Sequence, residues 1–205
     1  VLNHMDRNPD TGLISPLILR FDGVTVDSAG QECSLALYPR ERGYGKPLNR
    51  VKIAPGPVFS ACGAATVINR RAFEKRVKDN RYYDEDFFMF WEDFDLGWTA
   101  TEAGICVRFD PDVRVLHFRS ATLKAGFRRR IALSLARPSR LRFHLVKNRY
   151  LTLAKHFRWR RHWRRIPAVI LRDLFWTGLL TITDPRIIIW LLRSGPLIRR
   201  ARRNR

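Results

Sequence analysis

The distribution of charge along the chain is the sequence feature that most restricts its fold. The net charge of the 205 residues is +20. Residues 1–118 contain 15 Lys and Arg and 17 Asp and Glu, whereas residues 119–205 contain 24 Lys and Arg and only 2 Asp and Glu. Because the second segment cannot neutralise its own cations, it implies an anionic partner: lipid headgroups, nucleic acid or an acidic polymer. We therefore predict a nearly neutral domain, residues 1–120, and a basic tail, residues 121–205.

The nearly neutral part has the mixture of short apolar runs, turns and helix signals that is typical of an α/β domain. Residues 38–57 are rich in Pro, Gly and Arg without a period, which predicts an exposed loop. The predicted strands are Leu13–Phe21, Val24–Val26, Val58–Asn69, Ile105–Phe109 and Val113–Phe118, with turns at Asp22-Gly23 and Asp110-Pro111-Asp112; the predicted helices are Arg71–Lys78 and Trp91–Ala103.

The basic tail has helical patterns that are interrupted by prolines. Its apolar stretches are Ile166–Leu171, Leu174–Ile182 and Ile187–Leu192, and none reaches the roughly 20 residues that a spanning helix needs. Arginines spaced among Leu, Ile and Trp instead predict amphipathic helices that lie in a membrane interface, with the arginine stems extended towards lipid phosphates. The prolines that divide the tail are Pro138, Pro167, Pro185 and Pro196.

The cysteines indicate a reducing compartment. Cys33, Cys62 and Cys106 are odd in number, far apart and without metal-ligand spacing, which argues against a disulfide framework or a zinc site. The first residue is Val rather than Met, so we expect that an N-terminal portion is missing from this sequence.

The segment from Cys62 to His117 contains most of the chemistry-bearing residues. It holds, in order, Gly63-Ala64-Ala65, Arg70-Arg71-x-Phe73, Asp84-Glu85-x-Phe87-Phe88, Trp91-Glu92-Asp93-x-Asp95-Leu96, then Gly104, Pro111 and His117. Each element alone has a simpler structural explanation, since acids favour helix N-termini and aromatic clusters favour a core. The order of all of them resembles the second half of the family 2 glycosyltransferases, closest to the rhamnosyltransferase-like branch. The match covers about residues 10–120, and Lys147-Asn148-Arg149 resembles the basic helix that follows this domain in such enzymes.

The resemblance implies the C-terminal, acceptor-side half of a GT-A Rossmann-like domain followed by amphipathic helices. It also implies an inverting transfer of a sugar, such as rhamnose, from a nucleotide-diphosphate sugar to a cell-surface glycan acceptor. Such a displacement needs a base for the acceptor hydroxyl and electrostatic help for the leaving diphosphate. The family's base maps onto Asp93, with Glu92 as its catalytic neighbour. The substrate-binding positions implied by the resemblance are Gly63, Ala64, Trp91 and Asp95, with Asp95 read as a helix-cap group behind the site.

A divalent cation, Mg²⁺ or Mn²⁺, is implied as the cofactor, with His117 as its ligand by position. One imidazole cannot hold such an oxygen-loving ion, and the family's other ligands come from an acidic D-x-D motif that this sequence lacks. Asp84-Glu85-Asp86 has the residue types of a D-x-D motif but occupies the position of a different family motif. Thr99 stands where the family usually has Arg. These departures leave the predicted donor site half built, so this chain alone is expected to be inactive.

Three functions follow as expectations. The first is a transferase whose partners are a nucleotide sugar, a glycan or lipid-linked acceptor and, through residues 121–205, an anionic membrane surface. Such an enzyme would be cytoplasmic and peripheral at the inner face of the plasma membrane. The alternatives are a non-catalytic membrane-docking fragment and a basic nucleic-acid-binding protein. The tail contains no recognisable nucleic-acid motif, so no nucleic acid is expected as a partner.

Overall fold

The computed structural model describes residues 10–74, 82–118 and 127–203. They form two compact units: residues 10–33, 39–74, 82–83 and 92–118 belong to the first, and residues 34–38, 84–91 and 127–203 to the second. The predicted boundary near residue 120, like residues 75–78 of the predicted helix Arg71–Lys78, lies outside the described residues. The chain is mixed α/β, which confirms the predicted class.

The first unit is built on a curled mixed sheet with its longest strands at the centre. The first strand pairs in parallel with the last and antiparallel with the second and sixth, and the fifth pairs antiparallel with the last. The third and fourth form a separate antiparallel pair. The strands are β1 (Thr11–Arg20), β2 (Val26–Ser28), β3 (Gln31–Cys33), β4 (Pro39–Glu41), β5 (Gly56–Pro57), β6 (Val67–Ile68) and β7 (Cys106–His117).

β1 is buried over nine of its ten residues, which explains the apolar run that predicted it. β7 runs without a break from Cys106 to His117, so the prediction of two strands around a turn at Asp110-Pro111-Asp112 is wrong. The pairing of β1 with β7 instead shifts register after Pro16, opposite Asp110. Both strands carry a proline here, and proline has no N–H to give to the ladder. The irregularity is a bulge within β7, in which the Asp112 N–H donates to Asp110 Oδ1 at 3.0 Å.

Two helices of the first unit are described: α1 (Arg70–Glu74) and α2 (Glu92–Glu102). α2 places Leu96 and Ala100, one turn apart, in a core with Leu13 of β1 and Val107 of β7. The predicted strand Val58–Asn69 is reduced to β6, because residues 63–65 form a turn in which the Ala65 N–H donates to the Cys62 carbonyl. Residues 38–57, predicted as an exposed loop, contribute β4, β5 and the 3₁₀ turn Leu48–Arg50.

The second unit is helical in its C-terminal part. Val146, Leu180 and Ile187 form its apolar core, with Phe143 and Leu191 packed against them. The helices are α3 (Phe127–Leu135), α4 (Ser139–His156), α5 (Trp159–His162), α6 (Ile166–Thr183), α7 (Arg186–Arg193) and α8 (Gly195–Arg203), with 3₁₀ turns at Glu85–Phe87 and Trp163–Arg165.

The Lys147-Asn148-Arg149 motif of α4 holds the segment before Glu92 in place. The Asn148 amide donates to the carbonyls of Phe87, Met89 and Phe90 at 2.9, 2.6 and 2.8 Å, and Lys147 donates to the Asp86 carbonyl. Phe88, Phe90 and Trp91 have φ angles of 63°, 66° and 74°, a region costly for residues with a side chain. The hydrogen bonds from α4 offset this strain.

α6 joins the apolar runs Ile166–Leu171 and Leu174–Ile182, which were predicted as separate stretches. The helix passes through Arg172-Asp173 without interruption, and the segment Trp159–Thr183 is long and apolar enough, by length and composition, to cross a membrane. Only 6% of its most apolar window is buried. The prediction that no stretch reaches spanning length is therefore corrected, although length and composition alone do not decide whether the helix spans.

Candidate active site

Asp93 lies in the first turn of α2, where the helix dipole favours a negative charge. Its Oδ1 accepts a hydrogen bond from the Phe94 N–H at 2.8 Å, and its Oδ2 accepts one from the Gly63 N–H at 2.8 Å. The turn at residues 63–65 is thus fixed to the start of the helix. The predicted base and the predicted pocket glycine are in direct contact, and the glycine contributes its backbone N–H.

Gln31 of β3 lies between two carboxylates. Its Nε2 donates to Asp93 Oδ2 at 2.8 Å and to Glu41 Oε1 at 2.9 Å, while Ser28 donates through its hydroxyl to the other oxygen of Glu41. Gln31 is buried, and its Oε1 has no hydrogen-bond partner among the described residues. A neutral amide therefore holds both acids without cancelling either charge.

The backbone of Asp93 is also anchored. The Ser60 hydroxyl donates to the Asp93 carbonyl at 2.6 Å. This contact requires α2 to approach residues 59–60 very closely, which Gly97 permits: a Cβ added there would lie 2.3 Å from Ser60 Cβ and 2.7 Å from the Phe59 carbonyl oxygen. The glycine in the middle of α2 is consequently a packing requirement of the site.

Burial raises the pKa of the Asp93 carboxyl, against the effect of its hydrogen bonds from Gly63, Phe94 and Gln31, which lower it. Burial likewise raises the pKa of Glu92, and the neighbouring Asp93 charge adds to the shift. Burial also raises the pKa of the Tyr83 hydroxyl, and the negative charges of Asp93 and Glu92 raise it further. A raised pKa makes a carboxylate a stronger base, which favours its use as a general base.

The site offers one group of potential metal ligands among the described residues. One ligand atom from each of Glu41, Cys62 and Asp93 lies within 4.8 Å of the other two. A thiol in place of an oxygen does not suit Mg²⁺, which prefers octahedral oxygen ligands. His117 is not part of this group: its Nδ1 lies 2.9 Å from Asp27 Oδ2. The group of Glu41, Cys62 and Asp93 therefore does not suit Mg²⁺. The role of His117 as a metal ligand stays a prediction, and no step below depends on a metal.

The other predicted site residues have different environments. Ala64 is exposed beside Gly63, and Asp95 is buried in α2. Trp91 belongs to the second unit, where its ring meets Tyr38 edge-on at 4.8 Å and lies under the Arg149 guanidinium. With only 5% of its surface exposed, Trp91 offers little area to a substrate, and its binding role stays a prediction.

Several residues around Asp93 were not found by sequence reasoning. Gln31, Glu41 and Ser28 lie 52 to 65 positions before it; Glu41 is in the segment predicted as an exposed loop, and no element was predicted at Ser28 or Gln31. Ser60 and Tyr83 do not belong to a sequence motif that would mark their hydroxyls as part of a site. In the structure Gly30 has a φ of 88° and forms a left-handed turn before Gln31, but a lone glycine in the sequence does not indicate the role of the residue after it.

No family model matches the chain, and no curated protein sequence matches it.

Gln31→Met is expected to raise the pKa of Asp93 further. Methionine has a similar length but no N–H, so the ionised carboxylate loses a donor that stabilises it. Titration of the Asp93 carboxyl by ¹³C NMR measures the change. Gln31→Glu should move the pKa in the same direction, because it replaces the donor with a third carboxyl. An unchanged Asp93 titration in both variants would contradict the bridging role.

Proposed function

We propose that this chain is the acceptor-side part of an inverting family 2 glycosyltransferase of GT-A type, with Asp93 as the general base. The proposal rests on the order of motifs from Gly63 to His117 and on one structural observation. A partly buried carboxylate at the start of α2 is fixed by two backbone N–H groups and one amide, and its pKa is raised.

The chemistry is a single displacement. As the acceptor hydroxyl attacks the anomeric carbon, its proton passes to an Asp93 oxygen. A bond forms between the acceptor oxygen and the anomeric carbon, and the bond to the diphosphate oxygen breaks. The electron pair leaves with the nucleoside diphosphate, and the anomeric configuration inverts. A rigid base supports this reaction because an oriented group avoids reorganisation in the transition state.

Neighbouring groups have separate roles in this proposal. Glu92 follows Trp91 in the chain, and its Oε2 is buried without a hydrogen-bond partner among the described residues, so an acceptor hydroxyl could satisfy it. Tyr83 retains 40% of its surface exposed and is electrostatically coupled to Asp93 and Glu92. We assign both residues to acceptor binding. The donor is a nucleotide-diphosphate sugar, such as one carrying rhamnose, and the acceptor is a glycan or lipid-linked glycan in the cytoplasm.

The decisive experiment is Asp93→Asn in the full-length protein, with Asp112→Asn as the matched control. Asp112 is an exposed acid of β7, so the same change there leaves the site intact. Release of nucleoside diphosphate is measured with a panel of nucleotide sugars and glycan acceptors. We expect Asp93→Asn to lower turnover by about 10²–10⁴-fold, the usual contribution of a general base, with donor binding retained.

The dependence of turnover on pH also tests Asp93 as the base. A base works only when deprotonated, so activity falls as the pH drops through its pKa. Because the Asp93 pKa is raised, the acid limb should lie at higher pH than the value of about 3.9 typical of an exposed aspartate. Turnover of Asp93→Asn equal to that of the control would refute the assignment.

A further inference from the structure

The outward side of α6 exposes an apolar stripe. Leu171, Leu174 and Ile182 have 73%, 71% and 81% of their surface exposed, and Ile170 and Phe175 are exposed beside them. At 100° per residue these positions share one side of the helix. Single exposed apolar residues are ordinary on soluble proteins, but a contiguous stripe marks an interaction surface.

The opposite side of α6 is fixed within the second unit. Asp173 accepts hydrogen bonds from the buried Arg149 guanidinium at 3.0 and 3.2 Å, and Leu180 enters the apolar core with Val146 and Ile187. The exposed stripe is therefore a defined side of a packed helix.

Further large apolar side chains are exposed before and after α6 in the chain. α7 exposes Ile188, Ile189 and Leu192 while Ile187 is buried, and Trp159 and Trp163 are exposed ahead of α6. Tryptophan is favoured at the boundary between water and lipid because its ring is apolar and its N–H is polar.

Exposed arginines lie at the N-terminal end of this apolar surface. Arg160, Arg161 and Arg164 are exposed next to the two tryptophans. The only two acids of residues 119–205 are Asp173 and Asp184, and both are already paired with arginines of their own unit. The exposed arginines thus have no acid of the tail left to pair with, which makes an anionic partner complementary.

We propose that the surface formed by Trp159, Trp163 and the outward sides of α6 and α7 docks on an anionic lipid bilayer, with α6 lying in the plane of the interface. The apolar stripe enters the acyl boundary and the arginines bind lipid phosphates. α6 does not span, because crossing the hydrocarbon would place Arg172 and Asp173 at its centre and separate Asp173 from Arg149. The proposal is independent of the transferase, since it uses the second unit alone.

An anionic bilayer would bind both the apolar side chains and the arginines of this surface, whereas a nucleic acid would bind only the arginines. Phosphate contacts need arginine and lysine, but a nucleic acid backbone offers nothing that favours burial of Leu171, Leu174 and Ile182. The acyl boundary of a bilayer does favour their burial, with a free energy of about 25 cal/mol per Å² of apolar area removed from water.

Vesicle co-sedimentation of the full-length protein tests the proposal at about 0.15 M salt, a physiological ionic strength. The vesicles contain phosphatidylcholine alone or phosphatidylcholine with phosphatidylglycerol. The test variant is Leu171→Glu/Leu174→Glu, and the matched control is Val24→Glu/Leu116→Glu, which adds the same charge at exposed apolar positions of the first unit. We expect binding to the anionic vesicles, a fall of more than about tenfold in the test variant, and no change in the control.

Three outcomes would overturn the proposal. Equal binding to neutral and anionic vesicles would show that the surface does not select anionic lipid. Resistance of the bound protein to extraction by alkaline carbonate would show a spanning helix rather than an interfacial one. Binding to duplex DNA that is tighter than to anionic vesicles, and unaffected by Leu171→Glu/Leu174→Glu, would assign the surface to nucleic acid.

Discussion

Arg149→Met is expected to lower the free energy of unfolding by about 3–5 kcal/mol, the cost of removing one partner of a buried ion pair. The Arg149 side chain is 2% exposed, and its guanidinium donates to Asp173 and to the Ala36 carbonyl at 2.7 Å, as well as to the Leu37 carbonyl. Removing it leaves the largely buried Asp173 carboxylate with only Arg172 as a cation, and two carbonyls without this donor. Urea denaturation followed by circular dichroism measures the loss.

Two further variants separate the ion pair from ordinary packing. Arg161→Met removes an exposed arginine from the same unit and should change stability by less than about 0.5 kcal/mol. Arg149→Met/Asp173→Leu removes both charges and should recover part of the loss, leaving the cost of the two carbonyls. If the double variant is no more stable than Arg149→Met, the Asp173 pairing is not what makes Arg149 important.

Gly97→Ala is expected to destabilise the first unit by about 2 kcal/mol, within the range for overpacking. Alanine is the better helix former, by about 1 kcal/mol, so without a clash the substitution would stabilise α2. Here the new methyl group would lie far inside contact distance of Ser60 and the Phe59 carbonyl. Because this carbonyl is backbone, the helix itself must move and weaken the Ser60 bond to Asp93.

The matched control for Gly97→Ala is Gly178→Ala in α6. An added Cβ at Gly178 meets nothing within 4 Å, so the same substitution should stabilise by up to about 1 kcal/mol. Thermal unfolding of both variants gives the comparison. Opposite signs at the two positions are expected, and stabilisation at both would mean that α2 does not approach Ser60 closely.

Sequence reasoning succeeded where one local rule determined the structure. The acids Glu92 and Asp93 and the terminal Gly104 predicted α2 to within one residue at each end. The turn at Asp22-Gly23 correctly joined β1 to β2. These elements depend on capping and turn chemistry, which act over a few positions.

Sequence reasoning failed where contacts between distant segments determine the local structure. The predicted turn at Asp110-Pro111-Asp112 lies inside the continuous strand β7, where its pairing with β1 shifts register next to Pro16, and the sequence of β7 alone does not show this pairing. The donors and acceptors around Asp93 could not be predicted for the same reason, since Gln31 has no local pattern and meets the helix only through tertiary packing. The Lys147-Asn148-Arg149 motif was noticed as a likeness, but its partners at residues 36–37 and 86–90 are known only from the fold.

The interleaving of the two units along the chain limits how the protein can be divided for expression. Residues 34–38 and 84–91 belong with the C-terminal helices, although both are flanked by segments of the first unit. A cut near residue 120 would leave the Asp84–Trp91 segment in one product and Asn148, which holds its carbonyls, in the other. No single cleavage yields either unit whole. Fragments that are each insoluble alone, yet recover when co-expressed, are the expected laboratory behaviour of such a chain.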